Sequence, residues 1–348
     1  MNSSTPIRAA VIGLGRAGWN IHVRTMQGRE DFDVVAVADP DPDRQQQAEE
    51  EAAAQSFDDL DSLLKGCDAE LIVVATASVD HANHSIAALD AGRHVLTEKP
   101  MATALEDADR MLAAAENAGK ILTVHQSRRW GEDFLFIQQM LRDERLGHVF
   151  FIRLGSYGYR RRNDWQTLRK YGGGLLNNNG VHVVDQCVIL MESPIVAVFG
   201  DLQQILQPGD TEDHLKVVMR GENGRVIDLE LTSACAASLP SWTLMGTRGT
   251  LTVTGGGTAV LQYVKDDLAP LEAIDRPLAT GRTYGVEGGD EIEFETVELE
   301  AKVSSGPSFY DQLYDAIRNG VPPPVDPTTS RETIRVMSDA RKGTQFPD

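Results

Sequence analysis

Over the first 126 residues, short apolar runs alternate with stretches whose apolar positions recur every three to four residues. The runs at 9–13, 34–39, 71–76, 94–98 and 121–124 are apolar at successive positions through most of their length, the pattern of strands buried on both faces. The Ala- and Leu-rich stretches at 17–26, 43–54, 81–91 and 105–118 carry helical periodicity. Gly92-Arg93 and Gly119-Lys120 close two of these helices, where a residue without Cβ can leave the last turn. Strand and helix in strict alternation predict a parallel sheet with crossover helices.

Beyond residue 126 the pattern changes. Residues 130–142 read as one more helix, and from 149 onward strands dominate. Alternation with period two is clearest at 215–219 and 226–231, joined by the hairpin turn Gly221-Glu222-Asn223-Gly224. Gly255-Gly256-Gly257 reads as another turn between strands, since no helix follows it. Helices return at 309–319, closed by Gly320 and Pro322-Pro323-Pro324, and at 329–341.

The first strand runs into Gly13-Leu14-Gly15-Arg16-Ala17-Gly18, a G-x-G-x-x-G that opens a helix. Gly13 permits a tight turn, Gly15 lets backbone approach a pyrophosphate, and Gly18 lets helix and strand pack closely. Asp39 ends the second strand 21 residues after Gly18, where a carboxylate takes ribose hydroxyls. A carboxylate there repels a 2′-phosphate, so NAD is the expected cofactor ahead of NADP, with Arg16 and Arg44 acting in the opposite sense. The expected architecture is an α/β Rossmann domain over 1–126, then an α+β domain over 127–348 with a large, mainly antiparallel open sheet. The C-terminal helices could pack back on the first domain.

Composition narrows the function. A chain of 348 residues, 41% hydrophobic and 24% charged, suits two globular domains. No apolar run is long enough to span a membrane, and the polar start, residues 1–7, lacks the pattern of a signal peptide. Cys67, Cys187 and Cys235 fit neither a disulfide framework nor a metal-ligand spacing, so no metal and a cytoplasmic location are expected. The net charge of −19 argues against nucleic acid and anionic membranes as partners. Against that background, Arg160-Arg161-Arg162 with Arg169-Lys170 is either a solvated loop or the rim of a polar or anionic ligand site. No G-x-S-x-G elbow or Cys/His nucleophile pair is present.

Three further segments carry a family resemblance. Val73–His81 with Ala87–Pro100, Tyr171–Asp185, and Met245–Thr250 together resemble the glucose–fructose oxidoreductase / inositol dehydrogenase (Gfo/Idh/MocA) family, in the family's order and over nearly the whole chain. The resemblance implies that Glu98-Lys99-Pro100 ends a strand beside the nicotinamide, with Lys99 as the catalytic lysine, and that Thr76 and His81 belong to the cofactor site. It implies that His182 bonds the reacting hydroxyl and shares proton transfer with Lys99. A partly desolvated lysine near a cationic ring can exchange a proton near neutral pH. Asn178 departs from the pattern, because many family dehydrogenases carry Asp four residues before this histidine. An amide cannot stabilise positive charge as a carboxylate does, so Lys99 and His182 should titrate lower. Asp185, one turn after His182, either replaces the missing charge or is a structural helix residue. Gln126 is expected at the cleft between domains. His22 and Trp165 could approach the ligand or simply pack, and Trp165 could stack on a sugar face.

The resemblance thus implies oxidation of a secondary hydroxyl of a sugar, polyol or sugar derivative by a nicotinamide cofactor. Two alternatives remain open: an NAD-retaining glycoside hydrolase, and a non-catalytic NAD-dependent sugar-binding regulator. Assembly into a homodimer or homotetramer is expected, because an open sheet would otherwise leave Leu215, Val217, Met219, Leu229 and Leu231, or their alternates, facing water.

Overall fold

The computed structural model of the chain describes residues 5–255, 257–275 and 291–347. Residues 1–4 of the polar start and Gly256 of the glycine turn lie outside the described residues. Six strands form the first sheet: β1 (Ile7–Ile12), β2 (Phe32–Ala38), β3 (Gln55–Phe57), β4 (Leu71–Val74), β5 (His94–Thr97) and β6 (Leu122–Val124). Their order is β3-β2-β1-β4-β5-β6, all parallel. The apolar runs of β1 and β4 are buried at nearly every position because helices cover both faces. Strand order reverses between β1 and β4, and such a switch point opens a crevice at the carboxyl ends of the strands.

The second sheet contains β7 (Val149–Tyr157), β8 (Ile195–Gln203), β9 (His214–Gly221), β10 (Val226–Thr232), β11 (Trp242–Gly246), β12 (Gly249–Val253), β13 (Thr258–Val264) and β14 (Phe294–Glu300). Its order is β14-β13-β12-β11-β7-β10-β9-β8. The β7–β10 pair is parallel and the other pairs are antiparallel. The 221–224 turn joins β9 to β10, and β12 pairs with β13 as an antiparallel neighbour.

The helices are α1 (Arg24–Gln27), α2 (Pro42–Ala52), α3 (Leu60–Gly66), α4 (His81–Asp90), α5 (Leu105–Ala118), α6 (Glu132–Met140), α7 (Val181–Met191), α8 (Phe309–Asn319) and α9 (Pro327–Arg341). Among the described residues none is long and apolar enough to cross a membrane. The expected helix at 17–26 is instead a π-helix, Ala17–Val23, that runs into α1. The helix expected at 130–142 is interrupted at Gly131, whose extended backbone separates a short turn, Ser127–Trp130, from α6. Periodicity missed β3 and α3, which are short. Asp59 starts α3 by accepting the Ser62 N–H at 2.8 Å.

One expectation about the second sheet is overturned. Leu215, Val217, Met219, Leu229 and Leu231 are all at most 1% exposed. They form the inner face of the sheet, which α7 and α9 approach from within the same chain. The outer face is mixed. Phe199 and Met245 are exposed there, and Asp228 on β10 is bridged by Arg153 of β7 and Lys216 of β9, each at 2.7 Å.

The C-terminal helices reach the first domain. Arg318 of α8 pairs with Glu70 at 2.8 Å and donates to the carbonyls of Thr5 and Pro6. Tyr310 of α8 touches His22 at 2.6 Å, and α9 packs against α5 as well as α7. A capping box of Ser308 and Asp311 begins α8.

Candidate active site

The cleft at the switch point has a volume of about 1360 Å³. That exceeds what a single drug-sized ligand needs, and suits a dinucleotide with a second molecule beside it. Its floor is the glycine loop. Gly13 has φ +87°, and a Cβ there would meet the Ala75 carbonyl oxygen at 2.6 Å. A Cβ on Gly18 would lie 1.8 Å from the Gly13 carbonyl oxygen, so the helix could not seat against the strand. A Cβ on Gly15 would meet nothing within 4 Å, which leaves its backbone open to the cleft. This is a cradle shaped for a pyrophosphate at a helix start.

Asp39, 3% exposed, builds that loop and lines the cleft. It accepts the Leu14 N–H at 2.7 Å and the Asp41 N–H at 3.0 Å. Arg44 also reaches it, at 3.3 Å.

At the other end stand the groups able to move protons. Lys99 follows β5, and its Nζ donates to the backbone carbonyl of Asn178 at 2.9 Å. His182 lies in the first turn of α7, fed by a second π-helix, Leu176–Gly180. The two π segments sit at the two ends of this cleft, as such distortions tend to at functional sites. His182 Nδ1 is 3.2 Å from Gln126 Oε1. With the amide oxygen accepting, Nδ1 carries the proton and Nε2 keeps its lone pair for a ligand.

Burial pushes the Lys99 ammonium down from its usual range; Glu98 opposes this, and Arg128 and Arg16 add to it. Burial, then the charges of Lys99 and Arg128, push His182 down to about 3. Both groups therefore move in the direction expected from Asn178, but burial is the main cause.

Twelve of the sequence candidates line this cleft: Gly13, Gly15, Arg16, Ala17, Asp39, Thr76, His81, Glu98, Lys99, Trp165, Asn178 and His182. Four others act behind the wall. Leu14 contributes its N–H to Asp39, Gly18 packs beneath Gly13, and Gln126 orients His182. Of the two roles expected for Asp185 the structural one holds, so it makes no substrate contact: it is 1% exposed and held by Arg129 at 2.6 and 2.7 Å and by Thr333 at 3.2 Å. Its carboxylate ties α7 to α9 and cannot replace a charge at 178. Asn178 directs its amide to Gln166 at 2.7 Å. His22 is fully buried and lies outside the cleft wall, whereas Trp165 is half exposed on it.

Residues 7–126 match the model of an oxidoreductase family with an NAD-binding Rossmann fold, and residues 134–252 match the GFO/IDH/MocA C-terminal domain. The chain belongs to the GFO/IDH/MocA family. It is an NAD(P)-dependent oxidoreductase. A Comamonas testosteroni relative, 1-carboxy-3-chloro-3,4-dihydroxycyclohexa-1,5-diene dehydrogenase, is 34% identical over 63% of this chain and 56% of its own length. The Bacillus subtilis scyllo-inositol 2-dehydrogenase (NADP(+)) IolW is 25% identical over 79% of this chain and 77% of its own. Among solved structures, an NAD-binding protein from Listeria innocua superposes with a TM-score of 0.82 at 25% identity, covering 96% of this chain and 93% of that one.

Several residues of this GFO/IDH/MocA site escaped sequence reasoning. Arg128 and His125 line the cleft just after β6, and Gln166 and Tyr171 line it from the loop before α7. The position of His125 and Arg128 at the carboxyl end of a parallel strand was the signal available for them.

Proposed function

We propose that this GFO/IDH/MocA protein oxidises a secondary hydroxyl of a sugar, polyol or sugar derivative with NAD as cofactor. The observation that carries the reading is the convergence of Lys99, the Asn178 backbone and His182 at one end of a cleft whose other end is a dinucleotide cradle. The nicotinamide, when bound, supplies the acceptor for the hydride that leaves the alcohol carbon. Gly13, Gly15 and the start of the 17–23 helix would hold the pyrophosphate, and Asp39 the adenosine ribose. Lys99, with its ammonium form disfavoured by burial, takes the hydroxyl proton at Nζ. His182, neutral at physiological pH, bonds the hydroxyl through Nε2 and orients it, while Gln126 fixes the ring. Trp165, half exposed at the rim, offers a flat apolar face to a sugar ring. Two dehydrogenases of cyclic hydroxylated compounds among the relatives support the substrate class.

The test is nicotinamide reduction, followed by absorbance, across a panel of sugars, inositols and sugar acids with NAD and with NADP. Reduction with one class of alcohol supports the reading. Bond cleavage of a glycoside without net cofactor reduction would refute it. We further read the chain as a homodimer or homotetramer that meets through the outer face of the second sheet, where Phe199 and Met245 are exposed. Sedimentation velocity at micromolar concentration tests this, and a monomer refutes it. The three cysteines are free, which suits a reducing, cytoplasmic setting.

A further inference from the structure

Positive charge is in excess around Lys99. Arg16 lines the same cleft from the glycine loop and Arg128 from the turn after β6, and both charges act on it. Position 178 holds an amide, and Asp185 is committed to Arg129. Among the described residues, the carboxylate that acts on this group is Glu98, which lines the same cleft, accepts the Lys99 backbone N–H and is only 7% exposed.

Glu98 is held from three separate elements. Its Oε1 accepts from His22 Nε2 of the 17–23 helix at 3.0 Å and from His125 Nδ1, just past β6, at 2.9 Å. Its Oε2 accepts the backbone N–H of Lys99 at 3.1 Å. Tyr310 of α8 closes the chain at 2.6 Å from His22 Nδ1. These are hydrogen-bond lengths, and three donors on one carboxyl group favour its ionised form. Burial would raise the Glu98 carboxyl, but the bonds from His125 and His22 outweigh it and hold the group well below its usual range. Phe309 lies edge-on to His125, 4.9 Å between ring centres, and Phe32 edge-on to Tyr310 at 5.6 Å. Such apolar surroundings make a buried charge costly to keep for packing alone.

We propose that Glu98, held ionised by His22, His125 and Tyr310, is the counter-charge against which Lys99 exchanges its proton, in the place a carboxylate at position 178 would otherwise fill. His22, His125 and Tyr310 are positioning residues in this arrangement. The inference rests on Lys99 as the proton-transferring group, but its test needs no turnover.

The experiment is competitive labelling of the folded protein with acetic anhydride across a pH series. Mass spectrometry follows the Lys99 peptide, with exposed Lys65 as internal reference. Removing a nearby anion lowers a lysine by about one unit or more. In Glu98→Gln the Lys99 midpoint therefore falls, with about tenfold more labelling at a fixed pH below it. Adding Asn178→Asp to that variant returns the midpoint toward the native one. Should Glu98→Gln not fold, His125→Leu carries the test. Loss of one donor lets the carboxylate turn away and lowers the midpoint part-way, and His125→Asn, which keeps an N–H donor, restores it. A folded Glu98→Gln with an unmoved Lys99 midpoint overturns the proposal. So does failure of Asn178→Asp to restore it, or identical behaviour of the two His125 variants. A shifted midpoint in a protein that oxidises no alcohol would instead overturn the proposed function and leave the counter-charge standing.

Discussion

Replacing Asp185 with Asn keeps the shape of the side chain and removes its charge. In the native chain the carboxylate receives Arg129 Nε and Nη2 at 2.7 and 2.6 Å, and the same Arg129 nitrogen, Nη2, reaches Thr329 of α9 at 2.7 Å. The side chains are 1% and 14% exposed, so the guanidinium loses its counter-charge in a place water scarcely reaches. Breaking one side of a buried pair costs about 3–5 kcal/mol. Even the lower figure changes the folded-to-unfolded ratio by more than a hundredfold. Chemical denaturation followed by circular dichroism should show an earlier midpoint. The pH dependence has a definite sign. Burial raises the Asp185 carboxyl above its usual range, with Arg129 opposing. The unfolded chain therefore releases this proton first, and the contribution of the group to stability falls as pH rises through the carboxylate range. The Asn side chain does not titrate, so the gap between native and Asn forms should widen as pH falls through that range. NADH binding, read by fluorescence, should be unchanged once the variant is folded. A variant as stable as the native protein that has lost substrate turnover would refute the reasoning and return Asp185 to the catalytic cleft.

Three further outcomes are expected. Asp39→Ala should narrow the difference between NAD and NADP affinity in parallel titrations, by removing a carboxylate beside Arg44; tighter NADP binding by the native protein would contradict this reading. Lys99→Ala should lower turnover by roughly 10²–10⁴-fold while NAD affinity stays nearly unchanged, measured by steady-state kinetics and fluorescence titration. Gly18→Ala should abolish dinucleotide binding and lower thermal stability, because its Cβ cannot fit 1.8 Å from the Gly13 carbonyl oxygen.

The parallel sheet was readable because each of its long strands is apolar at successive positions, a pattern that few other environments permit. The 3.6-residue period placed α8 to the residue. Residues 55–66 carry no such pattern, since β3 contributes three partly exposed residues and α3 is under two turns long. The face of the second sheet was misjudged for a different reason. Alternation reveals that β9 and β10 have two faces, but not which of them the helices of the same chain will cover. The site shows the same division. Gly13, Lys99 and His182 announce themselves by local motif, whereas the grip of His22, His125 and Tyr310 on Glu98 joins residues up to 288 positions apart. No local pattern records such a meeting.

α8 has a consequence for how the molecule is made. Arg318 fastens carbonyls at residues 5 and 6, and Tyr310 gives His22 Nδ1 its partner, so the parallel-sheet unit borrows parts from a helix synthesised much later. A ribosome must deliver the chain past Arg318 before the helix behind the glycine loop can have its final support. A fragment ending near residue 126 would carry every glycine of the phosphate loop, yet lack the helix that closes its far side.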